Sequence, residues 1–136
     1  FCVSTFENIM KVNVTAQAVL TKYMFPILRK SDNASVIFTS SGVGREGREF
    51  WGAYAISKFA VEGMMQTWSK EVTKTNIRIN CINPGATQTS MRAAAYPGED
   101  RSKLAKAIDL MPTYMYLMSD RSIGINGQSI DAQQKK

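Results

Sequence analysis

The chain has 136 residues, 44% of them hydrophobic, and its formal net charge is +6. This length fits one domain, and no apolar run is long enough to cross a membrane, so neither a multidomain nor a membrane-spanning protein is expected. The cations are dispersed rather than clustered, which favours a solvated surface over a nucleic-acid-binding patch.

The first part of the chain reads as a helix followed by a strand. Apolar residues recur at steps of three and four over residues 6–28, which predicts one long helix. Asn13 is a polar residue on its apolar face, and Pro26 is expected to bend or end it. A turn at Ser31–Asn33 precedes a predicted buried strand over Ala34–Thr39. The remaining predicted face residues are Phe6, Ile9, Met10, Ala16, Gln17, Leu20, Tyr23, Met24, Ile27 and Leu28.

The rest of the chain repeats this alternation of helices and strands. Pro112 is expected to interrupt the short helices near the carboxyl end. The predicted elements are, in order, a glycine-bearing loop over 40–50, a helix over 51–74, a strand over 77–82, a loop to about residue 100, short helices within 103–119, a turn at Asn126–Gly127 and a strand over 128–131.

Strands that alternate with crossover helices predict an α/β fold with a doubly wound parallel sheet, Rossmann-like in its layering. Three strands are few for such a sheet, so we expect the whole chain, residues 1–136, to be a single partial domain that represents the carboxyl-terminal half of the fold. A helix-like pattern already runs through the first residues, and we therefore expect that Phe1 is not the natural start of the protein.

The residue types available for chemistry are limited. No His is present, which removes the commonest general base and the commonest zinc ligand. Cys2 and Cys81 do not have a metal-ligand spacing, so no metal site is expected. They could form one disulfide, but reduced thiols in a cytoplasmic protein are favoured.

The segment Tyr54–Lys58 is the strongest chemical signal. A spacing of i, i+4 places Tyr54 and Lys58 on the same face of a helix. A free tyrosine is a poor base at neutral pH because its pKa is about 10, and a nearby ammonium group stabilises the phenolate. The pair can therefore act as an acid–base unit without His. Taken alone, the Tyr54–Lys58 spacing is also expected for a Tyr beside a Lys on the protein surface, with no role in catalysis.

Two further segments are predicted to lie at the same edge of the sheet as this pair. Ser41 follows the first buried strand, and its hydroxyl could polarise a carbonyl oxygen or simply serve a turn. Pro84 and Gly85 follow the second strand, and Thr87 and Thr89 offer amides and hydroxyls to a ligand. Because ligands bind at the carboxyl ends of parallel strands, these segments predict one site.

The combination of Asn13, Ser41, Tyr54, Lys58 and the loop from Pro84 to Thr89, in this order and spacing, resembles the short-chain dehydrogenase/reductase family. The resemblance covers nearly the whole chain. The strings Trp-Gly-Ala-Tyr over residues 51–54, Glu-Gly-Met-Met-Gln over 62–66 and Asp-Ala-Gln over 131–133 are similar to one bacterial branch, the YciK-type oxidoreductases.

The resemblance implies an enzyme that transfers a hydride between NAD or NADP and a small-molecule carbonyl/alcohol pair. It implies that Tyr54 is the general acid or base and that Lys58 supports Tyr54 and contacts the nicotinamide ribose. Ser41 would hold the substrate oxygen, and Asn13 would anchor a water in a proton relay, with a satisfied core amide as the alternative. The implied cofactor-binding residues are Tyr54, Lys58, Pro84, Gly85, Thr87 and Thr89.

The resemblance further implies a substrate loop over residues 91–106, in which Arg92, Tyr96 and Arg101 could touch a ligand or make ordinary surface contacts. It implies a homo-oligomer, to which Met64, Met65 and Trp68 could contribute, or these residues could belong to the core.

The sequence departs from the family in two places. No glycine-rich strand–turn–helix for the cofactor pyrophosphate precedes Asn13, and the preference between NAD and NADP is therefore not readable. The final strand ends in Ile130–Gln133, not in the family's common Val-Asp-Gly-Gly. A truncated, non-catalytic remnant or interaction module of the same family is therefore the alternative function. An extended-type epimerase or dehydratase is disfavoured because it would need a larger substrate domain.

Overall fold

The computed structural model describes residues 2–133 of the chain. Its sheet has three strands in the order β1 (Ala34–Thr39), β2 (Ile77–Asn83) and β3 (Ser129–Asp131). Both pairs are parallel, with Ala34 opposite Ile77 and Cys81 opposite Ser129. The three predicted strands and their parallel pairing are confirmed.

Helices connect and cover these strands. The α-helices are α1 (Val3–Met10), α2 (Ala16–Leu28), α3 (Gly52–Glu71), α4 (Ser90–Ala95) and α5 (Met111–Met118). A π-helical turn, Lys11–Thr15, joins α1 to α2, and 3-10 turns lie at Gly42–Gly44, Arg101–Lys103, Ala107–Leu110 and Asp120–Ser122. Within residues 2–133, no helix combines the length and the apolar character needed to cross a membrane.

The strand side chains alternate between two covered faces, as strands require. On one face Ala34 and Phe38 form a buried core with Val61 and Met65 of α3. On the other face Ser35 donates a hydrogen bond to the carbonyl of Leu117 in α5, at 2.8 Å. The sheet is therefore covered by helices on both sides, and the predicted doubly wound α/β class is confirmed.

The π-helical turn changes which residues face the sheet. A π turn adds one residue to a helical turn, which rotates the following helix by about 100°. Beyond the turn, Phe25 and Leu28 pack against the core. The prediction of one continuous apolar face was wrong after Asn13, because the rotation turns the following residues outward: Leu20, Tyr23, Met24 and Ile27 are exposed.

Two other sequence predictions are refined by packing. Pro112 does not interrupt a helix: it lies in the first turn of α5, where its missing N–H is not needed. Of the residues suggested for an interface, Met65 is fully buried in the core, and Met64 and Trp68 pack against that core. They serve the interior of this domain, which was the alternative reading.

Candidate active site

A cleft of about 540 Å³ opens where the strands end. β1, β2 and β3 end at Thr39, Asn83 and Asp131, and because all three strands are parallel these ends share one edge. All the site residues predicted from the sequence line this cleft: Asn13, Ser41, Tyr54, Lys58, Pro84, Gly85, Thr87 and Thr89.

Tyr54 and Lys58 lie one turn apart near the start of α3. The Lys58 ammonium is 5.6 Å from the centre of the Tyr54 ring, and Lys58 is only 7% exposed. Its Nζ donates a hydrogen bond of 2.9 Å to the carbonyl oxygen of Thr39 at the end of β1. Burial lowers the pKa of Lys58 because it removes water from the charged ammonium. The lysine is therefore held in one place by the strand edge.

Ser41 stands two residues beyond β1, at the start of the 3-10 turn Gly42–Gly44. The backbone N–H of Gly44 donates to the carbonyl of Ser41, at 2.9 Å, which folds this loop back toward α3. Within the described part of the chain, the hydroxyl groups of Ser41 and Tyr54 make no hydrogen bond. Both hydroxyls therefore remain available to a ligand in the cleft.

Asn13 reaches the site through Ser57 of α3. The Asn13 side-chain amide donates to the hydroxyl of Ser57 at 3.0 Å, and that hydroxyl donates to the backbone carbonyl of Tyr54 at 2.7 Å. Ser57 is completely buried, and Asn13 is half-buried at the centre of the π turn. The π turn therefore fixes the position of Asn13 directly behind the first turn of α3.

The loop from Pro84 to Thr89 crosses the end of β2. Gly85 has φ +73°, a conformation that disfavours other residues. Its N–H donates to the side-chain oxygen of Asn83 at 3.1 Å, and its carbonyl accepts from the hydroxyl of Thr87 at 3.2 Å. The N–H groups of Ala86 and Thr87 make no hydrogen bond with any residue within 2–133. They are free donors beside the cleft.

An aromatic wall lies on the other side of Tyr54. The ring of Trp51 is 5.5 Å from the ring of Tyr54 and 6.1 Å from the ring of Tyr96. Arg92 stacks over Tyr96 at 3.8 Å and forms a bidentate ion pair with Glu99, at 2.6 and 2.7 Å. Arg92 and Tyr96 thus line the cleft as suggested from sequence, whereas Arg101 does not.

Several residues near the site were not singled out in the sequence. Ser57 could have been noticed, since it lies three residues after Tyr54 on the same helix, but nothing local marked the carbonyl of Thr39. Asn83 read only as the end of a strand. Asp131 and Gln133 were noted only as part of a string similar to the YciK-type branch and of an unusual strand end. Their contacts with residues 83–86 could not be foreseen, because these contacts depend on how β2 and β3 pair.

Among residues 2–133, no group of three or more Cys, Asp and Glu side chains is arranged to hold an ion. Cys2 is an exposed free thiol and Cys81 is a buried one.

Comparison with known proteins agrees with this geometry. The chain is 52% identical over 128 residues to the uncharacterised oxidoreductase YciK of Escherichia coli K12. The matched region covers 94% of this chain and 50% of YciK. The predicted likeness to the YciK-type branch is confirmed. The chain spans about half the length of the relatives it matches.

Two solved structures extend the comparison. A short-chain dehydrogenase of Shigella flexneri 2a, complexed with NADP, is 50% identical, with a TM-score of 0.95 over 98% of this chain and 55% of that one. One of Escherichia coli CFT073, complexed with NADPH, is 51% identical, with a TM-score of 0.93 over 96% of this chain and 54% of that one. A family model described as short chain dehydrogenase matches residues 1–100, well over half of the sequence, and the chain therefore belongs to the short-chain dehydrogenase family.

Proposed function

We propose that this chain carries the catalytic half of an NAD(P)-dependent oxidoreductase that transfers a hydride between a nicotinamide cofactor and a carbonyl/alcohol substrate. The observation that carries the proposal is the meeting of Tyr54, Lys58 and Ser41 in one cleft, where the hydroxyls of Tyr54 and Ser41 have no hydrogen-bond partner among residues 2–133. Such hydroxyls can bind and protonate a substrate oxygen.

Tyr54 acts as the general acid in reduction and as the general base in oxidation. Lys58 supports both directions because its ammonium group, close to the ring, stabilises the phenolate that remains after proton transfer. The hydrogen bond from Lys58 to the carbonyl of Thr39 fixes the ammonium in place. Ser41 donates to the substrate oxygen and stabilises the charge that develops there.

Asn13 serves a proton relay that leads away from Lys58. The NH₂ group of the Asn13 side chain donates to Ser57, and this orientation leaves the side-chain oxygen as a possible acceptor. That oxygen is suited to hold a water molecule between the π turn and the lysine. The alternative role is structural, because the bond from Asn13 to Ser57 holds the π turn against α3.

The residues present fit a nicotinamide cofactor. The free N–H groups of Ala86 and Thr87 suit the oxygen of a carboxamide, and Lys58 suits a ribose hydroxyl. A bound nicotinamide cofactor supplies or accepts the hydride. Because relatives about half identical to this chain are complexed with NADP and NADPH, NADPH is the first cofactor to test.

Two wider properties belong to the same proposal. We propose that the protein forms a homo-oligomer, because the apolar side chains of Ile56 and Phe59 on α3 are exposed in the described chain. Light scattering in solution tests this proposal, and a monomeric mass would contradict it.

We propose a cytoplasmic location, because Cys2 and Cys81 are unpaired thiols, the state expected in a reducing compartment.

The second candidate is a non-catalytic remnant of the same family. It is favoured by the absence of a glycine-rich, pyrophosphate-binding turn in the sequence, and the chain spans about half of its relatives. To separate the candidates, NADPH binding is measured for the 136-residue chain and for the product of the complete open reading frame that encodes it. The oxidoreductase proposal predicts tight binding by the complete product, and absence of binding by both supports the remnant.

Catalysis is tested by Tyr54→Phe in the complete product, with a panel of aldehydes and ketones and the absorbance of NADPH as the readout. We expect turnover to be abolished while NADPH affinity stays nearly unchanged, and we expect Lys58→Ala to weaken both. Tyr116→Phe is the matched control, because Tyr116 of α5 does not line the cleft. Equal loss of binding and turnover in Tyr54→Phe would contradict the assigned role.

A further inference from the structure

The side chain of Gln133, beyond the end of β3, reaches across the sheet edge to the loop after β2. Its Nε2 donates hydrogen bonds of 2.8 Å to the carbonyl oxygens of both Pro84 and Ala86. A primary amide has two N–H groups in a fixed planar fork, so one side chain can serve both acceptors at once. Gln133 therefore bridges the two peptide carbonyls that flank Gly85.

Gly85 makes this bridge possible. A Cβ atom at Gly85 would lie 3.0 Å from Nε2 of Gln133, so the amide packs against the bare α-carbon. The positive φ of Gly85 orients its neighbouring carbonyls so that one amide can reach both. The glycine and the glutamine thus form one unit, although 48 positions separate them in sequence (133 − 85).

Residues 131 and 132 also hold Asn83, at the point where the loop begins. The side-chain amide of Asn83 donates to the carboxylate of Asp131 at 2.8 Å, and the N–H of Ala132 donates to the carbonyl of Asn83 at 2.9 Å. Asp131 also forms an ion pair with Arg45, which lies in the loop that follows Ser41. Residues 131–133 therefore tie the loop after β2 to the loop after β1.

In the loop from Pro84 to Thr87, three carbonyl acceptors are occupied, whereas two N–H donors have no partner among residues 2–133. The carbonyls of Pro84 and Ala86 are occupied by Gln133, and that of Gly85 is occupied by the hydroxyl of Thr87. The N–H groups of Ala86 and Thr87 are free within the described chain. The loop can thus offer donors but few acceptors, which suits a ligand group that presents an oxygen.

We propose that Gln133 is a positioning residue for the nicotinamide half of the cofactor: by occupying the carbonyls of Pro84 and Ala86, it fixes the neighbouring N–H groups for a ligand oxygen. This inference rests on the proposed function. It assigns a role to the point at which the sequence departs from the family's usual strand end. Without the Gln133 donors, the Pro84–Gly85 and Ala86–Thr87 peptides can rotate and present their carbonyl oxygens to the cleft instead.

The test uses the product of the complete open reading frame and two variants. Gln133→Glu keeps the shape but loses both N–H donors, and Gln133→Ala removes the donors without adding charge. Gln128→Glu and Gln128→Ala are matched controls, because Gln128 is exposed and its side chain makes no hydrogen bond within residues 2–133. Thermal unfolding is followed for all four variants.

Two ligands separate positioning from general structural damage. NADPH reports the whole cofactor site, and 2′-phospho-ADP-ribose, which keeps the pyrophosphate and both riboses but lacks the nicotinamide ring, reports every part of the site except the ring. We expect both Gln133 variants to bind NADPH about tenfold more weakly. We expect the affinity for 2′-phospho-ADP-ribose to change less than about threefold, because this ligand has no nicotinamide ring for the loop to position.

Each result has a distinct meaning. A tenfold loss confined to NADPH supports the inference. Unchanged NADPH affinity, or equal weakening of both ligands, would overturn it while leaving the proposed function intact. Failure of the unaltered protein to bind either ligand would instead overturn the proposed function, and the inference with it.

Discussion

A Cβ atom placed on Gly44 would lie 2.8 Å from the backbone carbonyl carbon and oxygen of Lys58. The loop that carries Ser41 therefore packs directly on the helix backbone that carries the Tyr54–Lys58 pair. Only a residue without a side chain allows this approach. The backbone of the loop that carries Ser41 is thus positioned on α3 by a direct contact with the helix backbone.

The first prediction concerns this contact. Gly44→Ala must push the loop away from α3, because the atoms it meets are backbone. We expect the free energy of unfolding to fall by about 1–3 kcal/mol, as in other overpacked interiors, and kcat to fall at least about tenfold, since misplaced groups lose catalytic power. Gly47→Ala is the control, because nothing lies within 4 Å of a Cβ there. Equal effects of the two changes in denaturant unfolding and kinetics would contradict the prediction.

The second prediction separates two adjacent serines. Ser41→Ala removes the hydroxyl proposed to hold the substrate oxygen, and we expect kcat/KM to fall by about a hundredfold or more. The hydroxyl of Ser40 is buried without a partner in the described structure. Ser40 also lines the cleft, but its side chain is buried, so Ser40→Ala should lower kcat/KM far less than Ser41→Ala does. It should raise the free energy of unfolding by about 1 kcal/mol, because it removes an unsatisfied polar group. A loss of activity in Ser40→Ala equal to that in Ser41→Ala would refute the assignment.

The third prediction concerns Phe50, which has φ +66° and a side chain that is 99% exposed. A bulky residue pays about 1–2 kcal/mol for this left-handed conformation, and here no packing offsets the cost. Phe50→Asn should raise the free energy of unfolding by about 1 kcal/mol without changing kcat, because Asn tolerates this region and Phe50 does not line the cleft. Phe50→Val, which adds β-branching, should do the opposite. Denaturant unfolding measures both.

The fourth prediction concerns the buried thiol of Cys81. Burial, together with the nearby Glu62 carboxylate, raises its pKa to about 12 from an ordinary value of 9.0. Above pH 9 the unfolded chain releases this proton while the folded protein keeps it. The folded protein therefore binds more protons, and its stability falls as pH rises from 9 toward 12, by up to about 1.4 kcal/mol per pH unit. Unfolding at several pH values should show a steeper fall for the natural protein than for Cys81→Ala.

The two thiols should also differ in reactivity. Hydrogen bonds from Ser4 and Thr5 lower the pKa of the exposed Cys2 thiol to about 7. Because the thiolate is the reactive form, iodoacetamide should label Cys2 rapidly at neutral pH and Cys81 only after denaturant is added. Mass spectrometry of peptides identifies the labelled residue. Rapid labelling of Cys81 in the folded protein would show that β2 is not buried as described.

The sequence by itself determined the order of the strands and helices and part of the cleft lining, including Ser41, Tyr54 and Lys58. These depend on local patterns: a period of two or of three to four residues, glycine and proline at chain turns, and the i, i+4 spacing of Tyr54 and Lys58. Parallel strands bring their carboxyl ends together, so residues that follow β1 and β2 could be placed at one edge before any contact was known.

Only the tertiary structure decided which residues of α2 face the sheet and which residues contact the loop after β2. The π turn around Asn13 arises where the helix packs on α3, and no periodic pattern in the sequence marks the extra residue. The contact of Gln133 with the carbonyls beside Gly85 depends on the register between β2 and β3, since a change of one residue would turn the amide to the other face. Such contacts join distant positions, and their energies come from packing and burial that a local sequence pattern does not contain.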